Sequence, residues 1–239
     1  MAAMASSWAS GQKKCWEDNY RDRPEYQITK ITSDNINPKE DGKVRIVCIS
    51  DTHSSVEMAR PSFKVPNGDI LIHAGDFTEY GKISNVQEFD KWLGSLPHKH
   101  KIVVAGNHEV SFDRTAKRFW EKQQHRDVDK VKSILTNCIY LEDKSVMVEG
   151  CKIYGTPWQP LFFGNVEDWA FAIPHLNVRA WEEVCSKIPA DIDILVSHSP
   201  PLGIQGGDSI ELNFFGPFFS PFLGPIFGPF FSPFFEIAY

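Results

Sequence analysis

The chain has 239 residues, of which 42% are hydrophobic, and carries a formal net charge of −6. That length and apolar content suit one domain with a sizeable core. The acidic balance excludes a protein that holds nucleic acid or an anionic membrane surface through bulk positive charge. Five cysteines, Cys15, Cys48, Cys138, Cys151 and Cys185, are odd in number and form no C-x-x-C pair, which points to reduced thiols in a cytoplasmic protein.

Residues 1–43 read as a polar N-terminal extension. They contain no apolar run of signal-peptide length and no glycine after Met1, so neither a secretory leader nor myristoylation is expected. From Val44 the chain alternates strands and helices. Val44 to Ser50 and Asp69 to His73 are short apolar runs of buried-strand length. Ser84, with Gln87 three residues on, reads as a capping box, and Phe89, Trp92 and Leu93 give the helix behind it one apolar face. Lys101 to Ala105 is the next strand, and a helical stretch in two pieces is expected from about Asp113 to Leu135. Val146 to Tyr154 reads as two strands turning at Glu149-Gly150. Val178 to Ile188 reads as a helix and Ile192 to Ser197 as a further strand. This rhythm predicts an α/β layered fold.

Four short motifs follow the apolar runs in order: Asp51-Thr52-His53, Gly75-Asp76-Phe77, Gly106-Asn107-His108-Glu109 and Ser197-His198-Ser199. In open α/β sheets ligands gather beyond the carboxyl ends of strands, where all four would lie. A pair of divalent ions needs a bridging carboxylate, and Asp76 suits that place because one carboxylate has two oxygens. Asp51 and His53, two residues apart after a strand, can converge on one ion. Asn107 offers a neutral carbonyl oxygen and His198 a ring nitrogen. Mixed oxygen and nitrogen donors fit Mn, Fe, Zn or Co. Two such ions polarise a phosphoryl group and hold a water near its deprotonated form. His108 points away from Asn107 and suits protonation of a leaving oxygen.

Other side chains read as structural. Cys48 and Cys151 lie in strand-like runs and are expected as small core residues. His73, within a strand, is expected in the core or behind the ligands, and His98 and His100 in a solvent-facing turn. His125 and His175 have no partner at ligand spacing. Trp158 is expected as a core aromatic, with a pocket wall as the alternative.

With the motifs in hand, the stretch from Val44 to about Gly203 resembles the calcineurin-like metallophosphoesterase superfamily. The segments 48–54, 69–79, 104–109, 153–158 and 197–203 closely resemble its metallophosphoesterase-domain-containing subgroup. The resemblance implies a four-layer α-β-β-α sandwich and a metal-dependent phosphoester hydrolase of the phosphodiesterase type. Its substrates would be small phosphodiesters or nucleotides, cyclic nucleotides among them. It implies a first metal on Asp51, His53 and Asp76 and a second on Asp76, Asn107 and His198. It also implies a catalytic role for His108, with Glu79 where many members carry an Asp that orients this histidine.

The end of the chain departs from the pattern. The superfamily closes its site with a Gly-His-x-His motif, whereas here no histidine follows His198, and Asp208, Glu211 and Glu236 are the later carboxylates. The domain is therefore expected over 44–212, C-terminally incomplete and lacking its last strands. Residues 213–239 form a Phe/Pro/Gly tetrapeptide tail that holds ten of the eighteen phenylalanines. Proline at every fourth place removes ladder donors and argues against a membrane helix. Three readings of the tail stay open: a patch covering exposed core, a surface for a protein partner or lipid, and an alternative or misread transcript end. With ligands missing, activity is expected to be weak, and a non-enzymatic binding protein is the competing expectation.

Overall fold

Short β-branched runs form the centre of the chain because strands buried on both faces need side chains that fill both. The computed structural model describes residues 39, 41–54, 65–116, 127–161, 168–174 and 176–199, with the backbone of 235–238. Strands β1 (Val44–Ile49), β2 (Ile70–His73) and β3 (His100–Val103) pair in parallel. A two-residue strand, β4 (Ile139–Tyr140), lies beyond β3. The other edge of this sheet is β10 (Phe235–Ala238), parallel to β1 with Val44 opposite Phe235.

That last strand changes one expectation. A tail with proline at every fourth place is expected to form no ladder, yet 235–238, with Glu236 in it, completes a five-stranded parallel sheet ordered β10-β1-β2-β3-β4. The physical reason is local. Pro233 is the final proline, and the run after it keeps every backbone donor a ladder requires. Residues 200–234 lie outside the described residues, as do Cys15, His125 and His175.

Successive side chains of the sheet point to opposite faces, and the two faces meet different partners. Val47, Leu71 and Val103 pack with Phe89 and Leu93 of helix α1 (Ile83–Ser95) and with Val131 of the short helix α2 (Val128–Lys132). Ile46, Ile70, Ile72 and Ile102 pack with Val148, Cys151, Ile153 and Val196 of a second sheet. That sheet holds β5 (Lys144–Val148), β6 (Cys151–Thr156) and β9 (Ile194–Ser197), in that order. β5 and β6 are antiparallel across a two-residue turn at Glu149 and Gly150, both at positive φ (49° and 82°), as a tight hairpin requires. A small sheet, β7 (Gln159–Pro160) with β8 (Ala172–Ile173), leads to helix α3 (Val178–Ser186).

Three local expectations are corrected. Helix α1 starts from Lys82 with no side-chain cap. Ser84 already lies in the first turn, and its hydroxyl bonds the Asn85 side chain instead. Asp113 to Ala116 are not helical, because the Asp113 carboxylate turns back to the Thr115 backbone and hydroxyl and to the Phe171 N–H; residues 117–126 lie outside the described residues. His98 is buried, with Nε2 2.9 Å from the Pro66 carbonyl oxygen, while His100 pairs with Glu149 at 2.8 Å. The backbone partner satisfies one ring nitrogen of His98, while Nδ1 is buried without one.

Candidate metal centre

All four motifs lie just beyond strand ends: Asp51 and His53 after β1, Asp76 after β2, Asn107 and His108 after β3, and His198 after β9. The two sheets pack face to face, so these ends meet at one edge of the sandwich. The backbone ladder continues past the strands. Ala74 N–H donates to the Ile49 carbonyl (2.9 Å), Asp51 N–H to Gly75 (3.0 Å), His53 N–H to Asp76 (2.9 Å) and Ser54 N–H to Phe77 (3.1 Å). Asp51, His53, Ser54 and Asp76 all hold positive φ, from 43° to 58°. Such conformations cost on the order of 1–3 kcal/mol each and persist where surrounding bonds over-determine them, as this zipped pair of loops does.

Asp76 is the centre of the geometry. Its Oδ2 lies 3.3 Å from His198 Nε2, 3.8 Å from His53 Nε2 and 3.9 Å from His108 Nε2. Its Oδ1 accepts the His108 backbone N–H at 3.0 Å. Asp51 Oδ1 is 3.9 Å from His53 Nε2, and Asn107 Oδ1 is 3.2 Å from His198 Nε2. Among the described residues, two groups bring one ligand atom each within 4.8 Å of one another: His53, Asp76 and His108, and Asp51, Asp76 and His198. Asp76 belongs to both, the shared place expected of it. Asp51 gathers with His198 and His53 with His108 in these groups, while the expected pairs, Asp51 with His53 and Asn107 with His198, lie at 3.9 and 3.2 Å.

These donors suit divalent ions. Ligand bonds of about 2.0–2.2 Å place neighbouring donors roughly 3–4 Å apart around one ion, the spacing seen here. Two glycines keep the approach open. A Cβ on Gly75, at φ 106°, would fall 2.6 Å from His198 Nδ1 and 2.9 Å from Gly106 Cα, and one on Gly106 would run into the Asp76 carboxylate. The His198 Nδ1–H donates to the Ala74 carbonyl at 2.9 Å, which fixes the tautomer and turns Nε2 toward Asp76. Burial lowers the affinity of this imidazole for its proton, but the hydrogen bond and charge of Asp76 outweigh it and carry the pKa up to about 9. Burial likewise raises Asp76, and the His198 contact more than reverses it, holding the carboxyl below its ordinary range. An ion at this point competes with that proton for the same lone pair.

His108 stands at the rim of the cluster. Its Nδ1–H donates to the main-chain carbonyl of Glu79 at 2.6 Å. At the position expected to orient this histidine, the contact is made by the main-chain carbonyl and not by the side-chain carboxylate. Trp169 and Tyr80 flank the ring, with centroids 5.1 and 5.7 Å away, and His53 meets it edge-on at 4.6 Å. Trp158 is half-buried, donates Nε1–H to Asp143 at 2.8 Å and packs on Phe171.

Two further residues were not singled out as site residues. His73 is fully buried between Phe77 and Phe89, with Nε2 3.0 Å from the Thr52 hydroxyl; burial, then the charge of His198, pushes its pKa down to about 3. It is a neutral ring under the Asp51–His53 loop. Glu109 is also fully buried, and burial followed by the nearby Asp76 charge pushes its pKa up to about 7, against four hydrogen bonds that favour the carboxylate. The sequence signal was an acidic residue closing a metal motif and followed at once by Val110, where an exposed side chain would be out of place.

The family described as calcineurin-like phosphoesterase matches residues 44–220. This chain belongs to the calcineurin-like phosphoesterase family. It is 46% identical over 177 residues to human metallophosphoesterase domain-containing protein 1, covering 70% of this chain and 51% of that protein. It is 43% identical over 172 residues to UPF0046 protein C25E10.12 of Caenorhabditis elegans, covering 70% of this chain and 57% of the relative. The chain thus spans about half the length of these curated relatives. The paired His/Asp groups sharing Asp76 are a candidate two-metal site, consistent with the active site of calcineurin-like hydrolases. No helix among the described residues is long and apolar enough to cross a membrane.

Proposed function

We propose that this chain is a metal-dependent phosphoester hydrolase that cleaves small phosphodiesters, cyclic nucleotides among them, with His108 as general acid. One observation carries the reading: a single oxygen, Asp76 Oδ2, lies within 3.3–3.9 Å of three imidazole nitrogens. Asp51, His53, Asp76, Asn107 and His198 would hold two divalent ions, which polarise a phosphoryl group and make water a better nucleophile. His108 Nε2 faces the same cluster, while the Glu79 carbonyl accepts from Nδ1–H and leaves Nε2 as the nitrogen from which a proton can be handed on. Transfer of that proton to the leaving oxygen is the step assigned to it. Tyr80 and Trp169 limit how the ring can turn.

The layering we propose for the whole domain is α-β-β-α, with α3 as an outer layer packed beside the small β7–β8 sheet. The packing of Trp181 and Val184 with Ile173 and Trp158 supports this. A cytoplasmic setting accords with the free thiols of Cys48, Cys138, Cys151 and Cys185, two of which burial pushes up to about 11 and 12 (Cys48 and Cys138).

The test is hydrolysis of bis-p-nitrophenyl phosphate and of a cyclic nucleotide by the purified chain with and without Mn. Mn-dependent turnover is expected. Retention of two ions without turnover on either substrate favours the binding-protein alternative, and retention of no ion overturns the two-metal reading.

A further inference from the structure

Glu109 takes four hydrogen bonds at once. Its Oε2 accepts from the backbone N–H groups of Asp76 (2.8 Å) and Gly106 (2.7 Å). Its Oε1 accepts from the Thr78 N–H (2.8 Å) and hydroxyl (2.9 Å). These partners are three main-chain N–H groups and a hydroxyl, with no lysine or arginine among them. The two loops so joined are those that present Asp76 and Asn107 to the metal centre. Asp76 is thereby held at three points: its N–H by Glu109, its carbonyl by His53 N–H and its Oδ1 by His108 N–H. Its φ of 54° is a strained value that an untethered loop would relax.

We infer that Glu109 is a positioning residue for the two-metal centre, a carboxylate that ties the Asp76 loop to the Gly106 loop and aims the shared ligand. The inference rests on the two-metal reading above. Glu109 lies behind the ligand set and touches no reacting atom. Its removal therefore frees Asp76 to leave the left-handed conformation, and the common vertex of both ion groups moves.

A second carboxylate supplies the control. Asp90 on α1 is buried and also accepts four bonds, from the N–H and hydroxyl of Thr136 and the N–H and side-chain amide of Asn137, all at 2.8–2.9 Å. It is remote from every residue of the metal cluster in these bonds. The experiment is calorimetric titration of the chelator-stripped full chain with Mn, alongside metal-free thermal melting, for wild type, Glu109→Gln, Thr78→Val and Asp90→Asn. Glutamine preserves volume but sets an N–H₂ donor against N–H donors. Glu109→Gln is expected to weaken Mn binding about 10–100-fold, the usual effect of losing a group that supports metal ligands. Thr78→Val, which removes one of the four donors, is expected to weaken it by a few-fold. Asp90→Asn is expected to lower the melting temperature with Mn affinity unchanged. Wild-type affinity in Glu109→Gln, or an equal loss in Asp90→Asn, overturns the inference. If Glu109→Gln does not fold, Thr78→Val with wild-type affinity overturns it just as well. A wild-type chain that takes up no Mn overturns the two-metal reading and the inference together, whereas Mn uptake unaltered by Glu109→Gln removes the inference alone.

Discussion

Glu109 and Asp90 are two buried carboxylates with the same number of bonds and nearly the same donors, a threonine contributing both N–H and hydroxyl to each. Their surroundings differ. None of Asp90, Thr136 and Asn137 has a positive φ, whereas Asp76, bonded to Glu109, does, and Asp51, His53 and Ser54 beside it do as well. Around Asp90 the bonds join a helix to the turn before β4 in relaxed conformations. Around Glu109 similar bonds hold a backbone that would otherwise move. One arrangement of donors thus serves cohesion in one place and ligand geometry in the other.

The largest effect expected in the strained region comes from Asp76→Ala. Because Asp76 belongs to both ligand groups, both ions should be lost together, and elemental analysis of the purified variant should show neither. Two tightly held ions in that variant would break the shared-ligand assignment. Next is His108→Ala, expected to lower turnover by about 10²–10⁴-fold, the usual span for a general acid, with metal content kept. The loss should shrink for nitrophenol esters, whose leaving group needs little protonation. An equal loss for good and poor leaving groups removes the acid role.

In the relaxed region the effects are on stability. A chain cut after Ser232 lacks β10, and with it four residue pairs beside β1. At about 0.5–1.5 kcal/mol per net hydrogen bond and one bond per pair, roughly 2–6 kcal/mol should go, read as a lower midpoint in urea. An unchanged midpoint would mean that β1 does not depend on that edge. Smallest is Asp90→Asn, which weakens charge-assisted bonds worth about 1.5–3 kcal/mol. Its melting temperature should fall by roughly 4–10 °C, sharpening the contrast with Glu109→Gln if ion affinity holds.

Much of this contrast was legible in the sequence. The strand runs are β-branched and short, so β1, β2, β3 and β9 end within a residue or two of their expected limits, and the four motifs fall beyond them. The Glu149-Gly150 turn was legible because glycine adopts positive φ without penalty and a two-residue hairpin demands it. Three things were not legible. The grouping of Asp51 with His198 depends on how two sheets pack, which no local pattern encodes. The buried bonds of Glu109 and Asp90 join residues 31 to 47 positions apart, or, for Gly106, only three, and an acidic residue in sequence reads first as exposed. The Glu79 contact uses a main-chain carbonyl, which every residue possesses and none advertises.

The ladder that runs beyond β1 and β2 has a further consequence. The amide hydrogens of Asp51, His53 and Ser54 sit in a connecting loop, yet each is held by a carbonyl of the neighbouring loop. Hydrogen exchange reports such tethering, not the name of the element. In deuterated solvent these three amides should retain their protons on the timescale of the sheet interior rather than that of a surface loop. The edge that carries the ligand residues would then open only when the sheet itself does, and its protection would survive removal of metal.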